Sequence, residues 1–187
     1  MTDAGKERVE LLVEQARGGD RQAFSVLTRQ MMKQVAALTY RITGERESAL
    51  DLAQETFVSA WENLPTFRGE AVFSSWLYRI ATNKALNYMK SSAVTTRADA
   101  VEPDEMYSPE VSPEVELERK HLAEDILVFM HGLPEQQKVI FNLRFYQELS
   151  FEEIAQTTGR ALGTVKTNYR EAVKKLRQYA VEKGWRS

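Results

Sequence analysis

Apolar residues recur every three or four positions along most of the chain, which is the spacing of one face of an α-helix. Four such segments lie in the first half, at residues 9–16, 24–38, 49–64 and 73–89. Glycine, proline or aspartate follows each of the first three segments, as expected where helices end. No segment alternates apolar and polar residues convincingly, so the pattern predicts an all-α protein.

The helical pattern disappears between about residue 91 and residue 113. This segment contains three prolines, many acidic residues and few large apolar side chains. Such a composition is typical of a flexible connection, and a structureless stretch of this length is uncommon inside one domain. The sequence therefore predicts two small helical domains, residues 1–92 and 114–187, joined by a flexible acidic linker, residues 93–113.

The second half of the chain contains the pattern of a helix–turn–helix. Ser150 and Glu153 have the spacing of a capping box, Gly159 follows one short helix, and residues 165–176 form a longer basic helix. If Val165, Tyr169 and Ala172 face the core, the side chains left to enter a DNA groove are Thr164, Lys166, Thr167, Asn168 and Arg170. An ordinary amphipathic helix with a solvated basic face is the alternative.

Charge is segregated along the chain, although the net charge is only −2. Residues 99–125 contain ten acidic and two basic residues, whereas residues 160–187 contain eight basic and two acidic residues. The basic end favours nucleic-acid binding by the last helix.

Composition excludes several other classes of protein. The absence of cysteine excludes disulfides and thiolate metal sites, and two histidines make a catalytic zinc site unexpected. No apolar run reaches the roughly 18 to 20 residues that cross a bilayer, and the charged N-terminus lacks a signal-peptide core. We therefore expect a cytoplasmic protein without membrane insertion.

Several motifs occur in a defined order along the chain. They are DLAQETFVSAW (51–61), FRG (67–69), FSSWLYRIATN (73–83), GLPE (132–135), LSFEEIA (149–155) and GTVK (163–166). Together they resemble the sigma-70 family in its extracytoplasmic-function (ECF) subfamily, over about residues 14–176. The resemblance implies a promoter-specificity subunit of bacterial RNA polymerase that binds the core enzyme and promoter DNA and assists promoter opening. It implies no catalytic residue, metal or cofactor.

The resemblance also implies two sites in the first domain. Asp51, Gln54 and Glu55 match the surface that binds the clamp helices of the polymerase's largest subunit, although a solvated helix face would look the same. Phe67, Arg68 and Asn83 match positions that read a flipped base of the −10 element, and Arg79 and Lys84 are placed to hold phosphates of that strand. For Phe67 the alternative is a loop anchor packed on the domain.

In the second domain the resemblance assigns Thr164, Lys166, Thr167, Asn168 and Arg170 to the −35 element. Asn168 and Glu171 stand where the subfamily commonly has arginines, so −35 recognition is expected to differ here. An asparagine can bind adenine with two hydrogen bonds, which would make Asn168 a specificity residue.

The remaining partners implied by the resemblance are the flap of the second-largest polymerase subunit and an anti-sigma factor, often anchored in the membrane. The acidic linker would thread through the polymerase, or would be a solvated tether. Two other protein classes stay open on the sequence alone: a helix–turn–helix regulator that senses a signal or dimerises, and a protein–protein adaptor.

Overall fold

The computed structural model describes residues 3–69, 71–91 and 113–185, and these residues are helical apart from turns, with no strand among them. The helices are α1 (Asp3–Arg17), α2 (Arg21–Thr43), α3 (Arg46–Asn63), α4 (Phe73–Ser91), α5 (Pro113–His131), α6 (Glu135–Phe145), α7 (Phe151–Thr158) and α8 (Leu162–Glu182). The all-α prediction is confirmed. The predicted linker lies outside the described residues, apart from Pro113, the first residue of α5.

Local sequence signals determine where the helices begin and end. The Asp20 carboxylate accepts hydrogen bonds from two backbone amides in the first turn of α2, at 2.7 and 3.1 Å. The capping box of α7 is present: the Glu153 amide donates to Ser150 Oγ at 3.1 Å, and the Ser150 amide donates to Glu153 Oε2 at 2.8 Å. Gly159 ends α7 with a φ of 66°, a conformation that glycine adopts without strain.

Helices α1–α4 form the N-terminal unit around one apolar core. Its fully buried side chains include Leu27, Val35 and Leu38 of α2, Ala53 and Ala60 of α3, and Leu77 and Ala81 of α4. Aromatic rings of α2 and α3 also meet, since the centroids of Phe24 and Trp61 lie 5.0 Å apart. This core fixes the outward faces of α3 and α4.

Helices α5–α8 form the C-terminal unit, in which the long helix α8 packs on α6 and α7. Val165 and Ala172 of α8 and Ile154 of α7 are fully buried, as the sequence pattern predicts. Tyr179 near the end of α8 packs on Phe129 of α5, with 5.5 Å between ring centroids. In the described residues, no helix is both long and apolar enough to cross a membrane.

The two units share a continuous apolar core. Side chains of α6, α7 and α8, among them Ile140, Leu143 and Ile154, belong to the same buried cluster as α2 and α4. We call the contact of α6 and α7 with α2 and α4 the seam. The sequence left the arrangement of the two units open, and the structure shows them packed together.

Candidate nucleic-acid interface

Helix α3 presents the predicted polymerase-binding residues on one exposed face. Asp51, Gln54 and Glu55 are all exposed, whereas the opposite face buries Ala53 and Phe57. The core contacts of the buried face therefore hold the three polar side chains outward on a rigid helix. Such a face is suited to docking against other helices.

Two apolar residues on the same side of α3 are missing from the sequence-based assignment. Leu50 is 45 % exposed and Val58 is 59 % exposed, each beside the polar residues. Their helical spacing of eight residues is the signal that would have found them, because it places them on one face. The α3 surface is thus an acidic stripe with an apolar residue at each end.

The loop between α3 and α4 is built around an aromatic cluster. Phe67 is only 8 % exposed, and its ring centroid lies 6.0 Å from that of Phe73 and 5.0 Å from that of Trp76. Arg68, the next residue, is exposed. The ring of Phe67 therefore anchors the loop, as one of the two sequence-based alternatives has it, and Arg68 is the side chain that the loop presents.

Helix α4 continues this surface with a row of polar side chains. Arg79 and Asn83 are exposed one turn apart, and Lys84 is half-buried beside them. Lys84 Nζ lies 3.2 Å from Glu55 Oε2, so an ion pair joins two residues that the sequence assigned to separate predicted sites. Exposed pairs of this kind contribute at most about 1 kcal/mol, so a partner can displace it readily.

A cavity of about 410 Å³ opens beside the aromatic cluster. Its lining comes from both units: Thr66, Phe67, Arg68, Ala71, Ser75, Trp76 and Arg79 from the N-terminal unit, and Gln156 and Thr157 from α7. Aromatic rings, arginines and small polar groups are the chemistry that an extruded base and its phosphate need.

Helix α8 exposes most of the predicted −35 residues. Thr164, Lys166, Thr167 and Arg170 are exposed, and Asn168 is half-buried. The side-chain amide of Asn168 donates to Thr164 O at 2.9 Å, within its own helix. Lys166 Nζ lies 3.9 Å from Glu152 Oε1, an exposed pair that DNA phosphate can replace.

The basic surface of α8 is longer than the sequence assignment. A groove of about 520 Å³ with Phe151, Tyr169 and Val173 in its wall is also lined by the cations Lys166, Arg170, Lys174 and Arg177. These four recur at spacings of four, four and three residues, so they lie along one side of the helix. The sequence analysis counted Lys174 and Arg177 in the basic segment but did not assign them to the predicted −35 site.

The first helix of the helix–turn–helix has a perturbed carboxylate at its start. Burial raises the pKa of Glu153, but hydrogen bonds from the Ser150 amide, the Ser150 hydroxyl and the Ser75 hydroxyl lower it, and the net pKa lies below the usual 4.5. Glu153 is therefore ionised at neutral pH and connects the cap of α7 to α4.

Comparison with known protein families identifies the family to which this chain belongs. Residues 27–94 match Sigma-70 region 2, and residues 123–176 match Sigma-70, region 4. The chain belongs to the sigma-70 family.

The RNA polymerase sigma-H factor of Pseudomonas aeruginosa is 32 % identical over 92 % of this chain and 95 % of its own length. The ECF RNA polymerase sigma-E factor of Escherichia coli K12 is 33 % identical over 88 % and 91 %.

Solved structures show the same fold. CnrH, solved with the cytosolic domain of CnrY, gives a TM-score of 0.69 at 21 % identity, covering 96 % of this chain and 99 % of CnrH. The sigma factor RpoE, solved with the anti-sigma factor NepR from Bartonella quintana, gives 0.68 at 21 % identity, covering 83 % and 95 %. The two family matches and the relatives of more than 30 % identity show that this chain is an ECF sigma factor. The regulator and adaptor hypotheses are therefore not supported.

Proposed function

We propose that this sigma factor directs core RNA polymerase to promoters through three separate surfaces, one on α3, one on the loop and α4, and one on α8. The observation that carries the proposal is that each family-matched region exposes polar side chains on a face whose reverse side is fixed in the core. It acts as a specificity subunit, and the polymerase supplies the chemistry.

The α3 surface binds the clamp helices of the largest polymerase subunit. Asp51, Gln54 and Glu55 supply polar contacts, and Leu50 and Val58 supply apolar contacts that become buried on docking. A protein interface usually combines buried apolar anchors with a polar surround, and α3 offers both within three turns.

The loop and α4 bind the −10 element as a single strand. The cavity accepts a flipped base against the edge of the aromatic cluster, and Arg68 contacts the base or its phosphate. Arg79, Asn83 and Lys84 follow the sugar–phosphate backbone along α4. In this proposal Phe67 shapes the cavity from behind rather than stacking on the base in the open.

Helix α8 binds the −35 element in the major groove. Lys166, Thr167 and Arg170 contact base edges or phosphates from the exposed face, with Thr164 at the start of the helix. Asn168 takes part through its side-chain oxygen and the second N–H of its amide, because one N–H is already bonded to Thr164 O within the helix. The C-terminal unit also contacts the flap of the second-largest subunit.

Regulation by an anti-sigma factor forms part of the proposal. The RpoE structure of similar fold contains the anti-sigma factor NepR, and CnrH was solved with the cytosolic domain of CnrY. We extend this kind of partner to the present chain, which would act in the cytoplasm, free or held at the membrane by that partner. The residues 93–113 would join the two DNA-binding units.

The test is reconstitution of transcription with sigma-free core polymerase and a promoter library. The variant Asp51→Ala/Gln54→Ala/Glu55→Ala should lose core binding by about tenfold or more, since it removes the polar centre of the docking face. A matched control is Glu10→Ala/Glu14→Ala/Gln15→Ala, which likewise removes two carboxylates and one amide at exposed positions of α1.

Two results would contradict the proposal in different ways. If the wild-type chain gives no promoter-dependent initiation, the function itself is wrong for this chain. If the wild type initiates but the α3 variant binds core as well as the α1 control does, the assignment of the polymerase surface is wrong and the function stands.

A further inference from the structure

The cavity beside the loop between α3 and α4 has two residues in its lining that no predicted site includes. Gln156 and Thr157 come from α7, and they line the same space as Arg68, Trp76 and Arg79 of the N-terminal unit. The lining therefore combines side chains from both units, and its chemistry can be examined as that of a binding site in its own right.

Thr157 is a buried polar residue of this lining. It is only 3 % exposed, and its hydroxyl forms no hydrogen bond with any other described residue. By contrast, the hydroxyl of the neighbouring Thr158 donates to Ile154 O at 2.7 Å, a usual bond for threonine within a helix. A buried hydroxyl without a partner is unfavourable, so at the wall of a cavity it favours a ligand that can bond with it.

The lining is positively charged. Its charged residues are Arg68 and Arg79, and no carboxylate is among the residues that form it. Ser75 Oγ donates to Glu153 Oε1 at 3.2 Å, but the other oxygen of this carboxylate accepts from the Ser150 amide and hydroxyl, at 2.8 Å each. Glu153 is thus bonded within the cap of α7, and the two guanidinium groups favour an anion such as phosphate.

The cavity also offers an aromatic ring and a side-chain amide. The ring of Trp76 is held by the aromatic cluster, with its centroid 5.0 Å from that of Phe67 and 5.7 Å from that of Phe73. A ring fixed in this way can stack on a nucleobase. Gln156 is exposed at the cavity, and a glutamine amide can bind adenine with two hydrogen bonds.

The size of the cavity fits one nucleotide. Its volume of about 410 Å³ lies near the lower end of the range of roughly 300 to 1,000 Å³ that holds small ligands. The residues of α7 stand on one side, which restricts how a strand could continue from a bound nucleotide. The packed chain therefore favours a free nucleotide over the same unit within a strand.

We propose that the cavity between the α3–α4 loop and α7 binds a free adenine mononucleotide. Arg68 and Arg79 hold its phosphate, and its base lies against Trp76. Gln156 and Thr157 bond to its polar groups. Because the ligand contacts both units, it binds only while they are packed together, and it competes with the −10 strand for the two arginines. The site requires only the cavity, whereas the competition rests on the proposed function.

Calorimetric titration of the full chain tests the class of ligand. The probes are adenosine monophosphate, guanosine monophosphate, adenosine and inorganic phosphate. Adenosine monophosphate should bind at least about tenfold more tightly than adenosine or phosphate, because each of these lacks one half of the contacts. It should also bind about tenfold more tightly than guanosine monophosphate, which presents an acceptor where adenine has an amino group.

Two substitutions in α7 test the location. Gln156→Ala and Thr157→Val should each weaken binding of adenosine monophosphate by about fivefold or more, since each removes a hydrogen bond to the ligand. The matched controls are Gln178→Ala, at an exposed position of α8, and Thr158→Val, one residue along α7 and outside the lining. Both controls should bind as the wild type does. Gln156 is exposed, so its variant stays informative even if Thr157→Val melts at a lower temperature.

The competition is measured by fluorescence anisotropy with the non-template −10 strand of a promoter selected by the wild-type holoenzyme. Adenosine monophosphate should raise the Kd of the wild type for this strand, and the same concentration should raise that of Gln156→Ala less. Binding of the −35 duplex should not change with the nucleotide, because Lys166 and Arg170 lie outside this cavity.

The outcomes separate this inference from the proposed function. No binding of adenosine monophosphate up to about 1 mM, or equal binding of inorganic phosphate, would overturn the nucleotide site. Full affinity in both α7 variants would overturn its location, and a −10 strand unaffected by bound nucleotide would overturn the competition. If the wild type fails to initiate transcription, the proposed function is wrong, while calorimetry still decides whether the cavity binds a nucleotide.

Discussion

Adjacent residues of the loop between α3 and α4 have opposite environments, and we therefore expect them to have different roles. The ring of Phe67 is buried against Phe73 and Trp76, whereas Arg68 is exposed at the mouth of the cavity. Removing a buried ring leaves a void and loses its apolar contacts. Removing an exposed guanidinium changes mainly what the surface can bind.

We therefore expect Phe67→Ala to lower the free energy of unfolding by about 3 kcal/mol, as for other buried rings. Arg68→Ala should change that free energy by less than about 0.5 kcal/mol and should weaken binding of the −10 strand. Urea denaturation and fluorescence anisotropy measure the two effects. A Phe67→Ala variant of wild-type stability would show that the ring does not anchor the loop.

The side-chain conformation of Asn168 could not be predicted from the sequence. Its position on the exposed side of α8 suggests a two-point contact with adenine, which needs both the oxygen and the nitrogen of the amide. The structure bonds one of the two N–H groups to Thr164 O, which fixes the direction of the amide and leaves one N–H and the oxygen for such a contact. The residue type was readable from the sequence, but a rotamer that turns the amide back on its own helix was not.

At the scale of elements, short sequence signals determine where the helices begin and end. The capping box of α7 and the glycine that ends it follow from short-range spacing, so the sequence predicts both. The spacing of apolar residues likewise predicts which faces of α3 and α8 are buried. That Glu153 also accepts from Ser75 was not predictable, because the two residues are 78 positions apart and only tertiary packing joins them.

The cap of α7 should make stability depend on pH. Because the folded pKa of Glu153 lies below 4.5, its contribution is fully present above pH 4.5 and is lost as pH falls through the lowered value. Glu153→Gln should reduce the free energy of unfolding by about 1 kcal/mol at pH 7, and its difference from wild type should shrink in acid.

Chemical denaturation between pH 3 and pH 7 would measure this dependence. Glu152→Gln is the matched control, since that carboxylate is the neighbouring exposed residue outside the capping box. An equal pH dependence in both variants would mean that the stabilising carboxylate is not Glu153.

At the scale of the whole molecule, the end of α2 packs against α5, beside the seam. Gly44 ends α2 with a φ of 80°, and a Cβ at this position would lie 3.2 Å from Cε1 of His131. The left-handed backbone conformation favours glycine, and a Cβ here would also require the His131 ring to shift by a few tenths of an ångström. The sequence signals the end of a helix here, but it cannot indicate that a residue 87 positions later lies against it.

We expect alanine to have opposite effects at two glycines. Gly44→Ala should destabilise the chain by about 1 to 2 kcal/mol, because it strains the left-handed residue. Gly163→Ala should leave stability unchanged or raise it by up to about 1 kcal/mol, since its Cβ meets nothing within 4 Å in a helix. Thermal melts of both variants compare them, and equal shifts would show that the left-handed conformation at Gly44 does not penalise alanine.

The shared core has a consequence for exchanging promoter preferences between relatives. A recombinant chain that receives α6–α8 from another sigma factor also receives new partners for Leu38, Arg41 and Ser75. Such a hybrid would change the −35 contacts that we propose for α8 and, in the same step, the packing between the two units. Grafting only the exposed residues of α8 onto this scaffold would alter promoter choice while leaving the resident interdomain contacts in place.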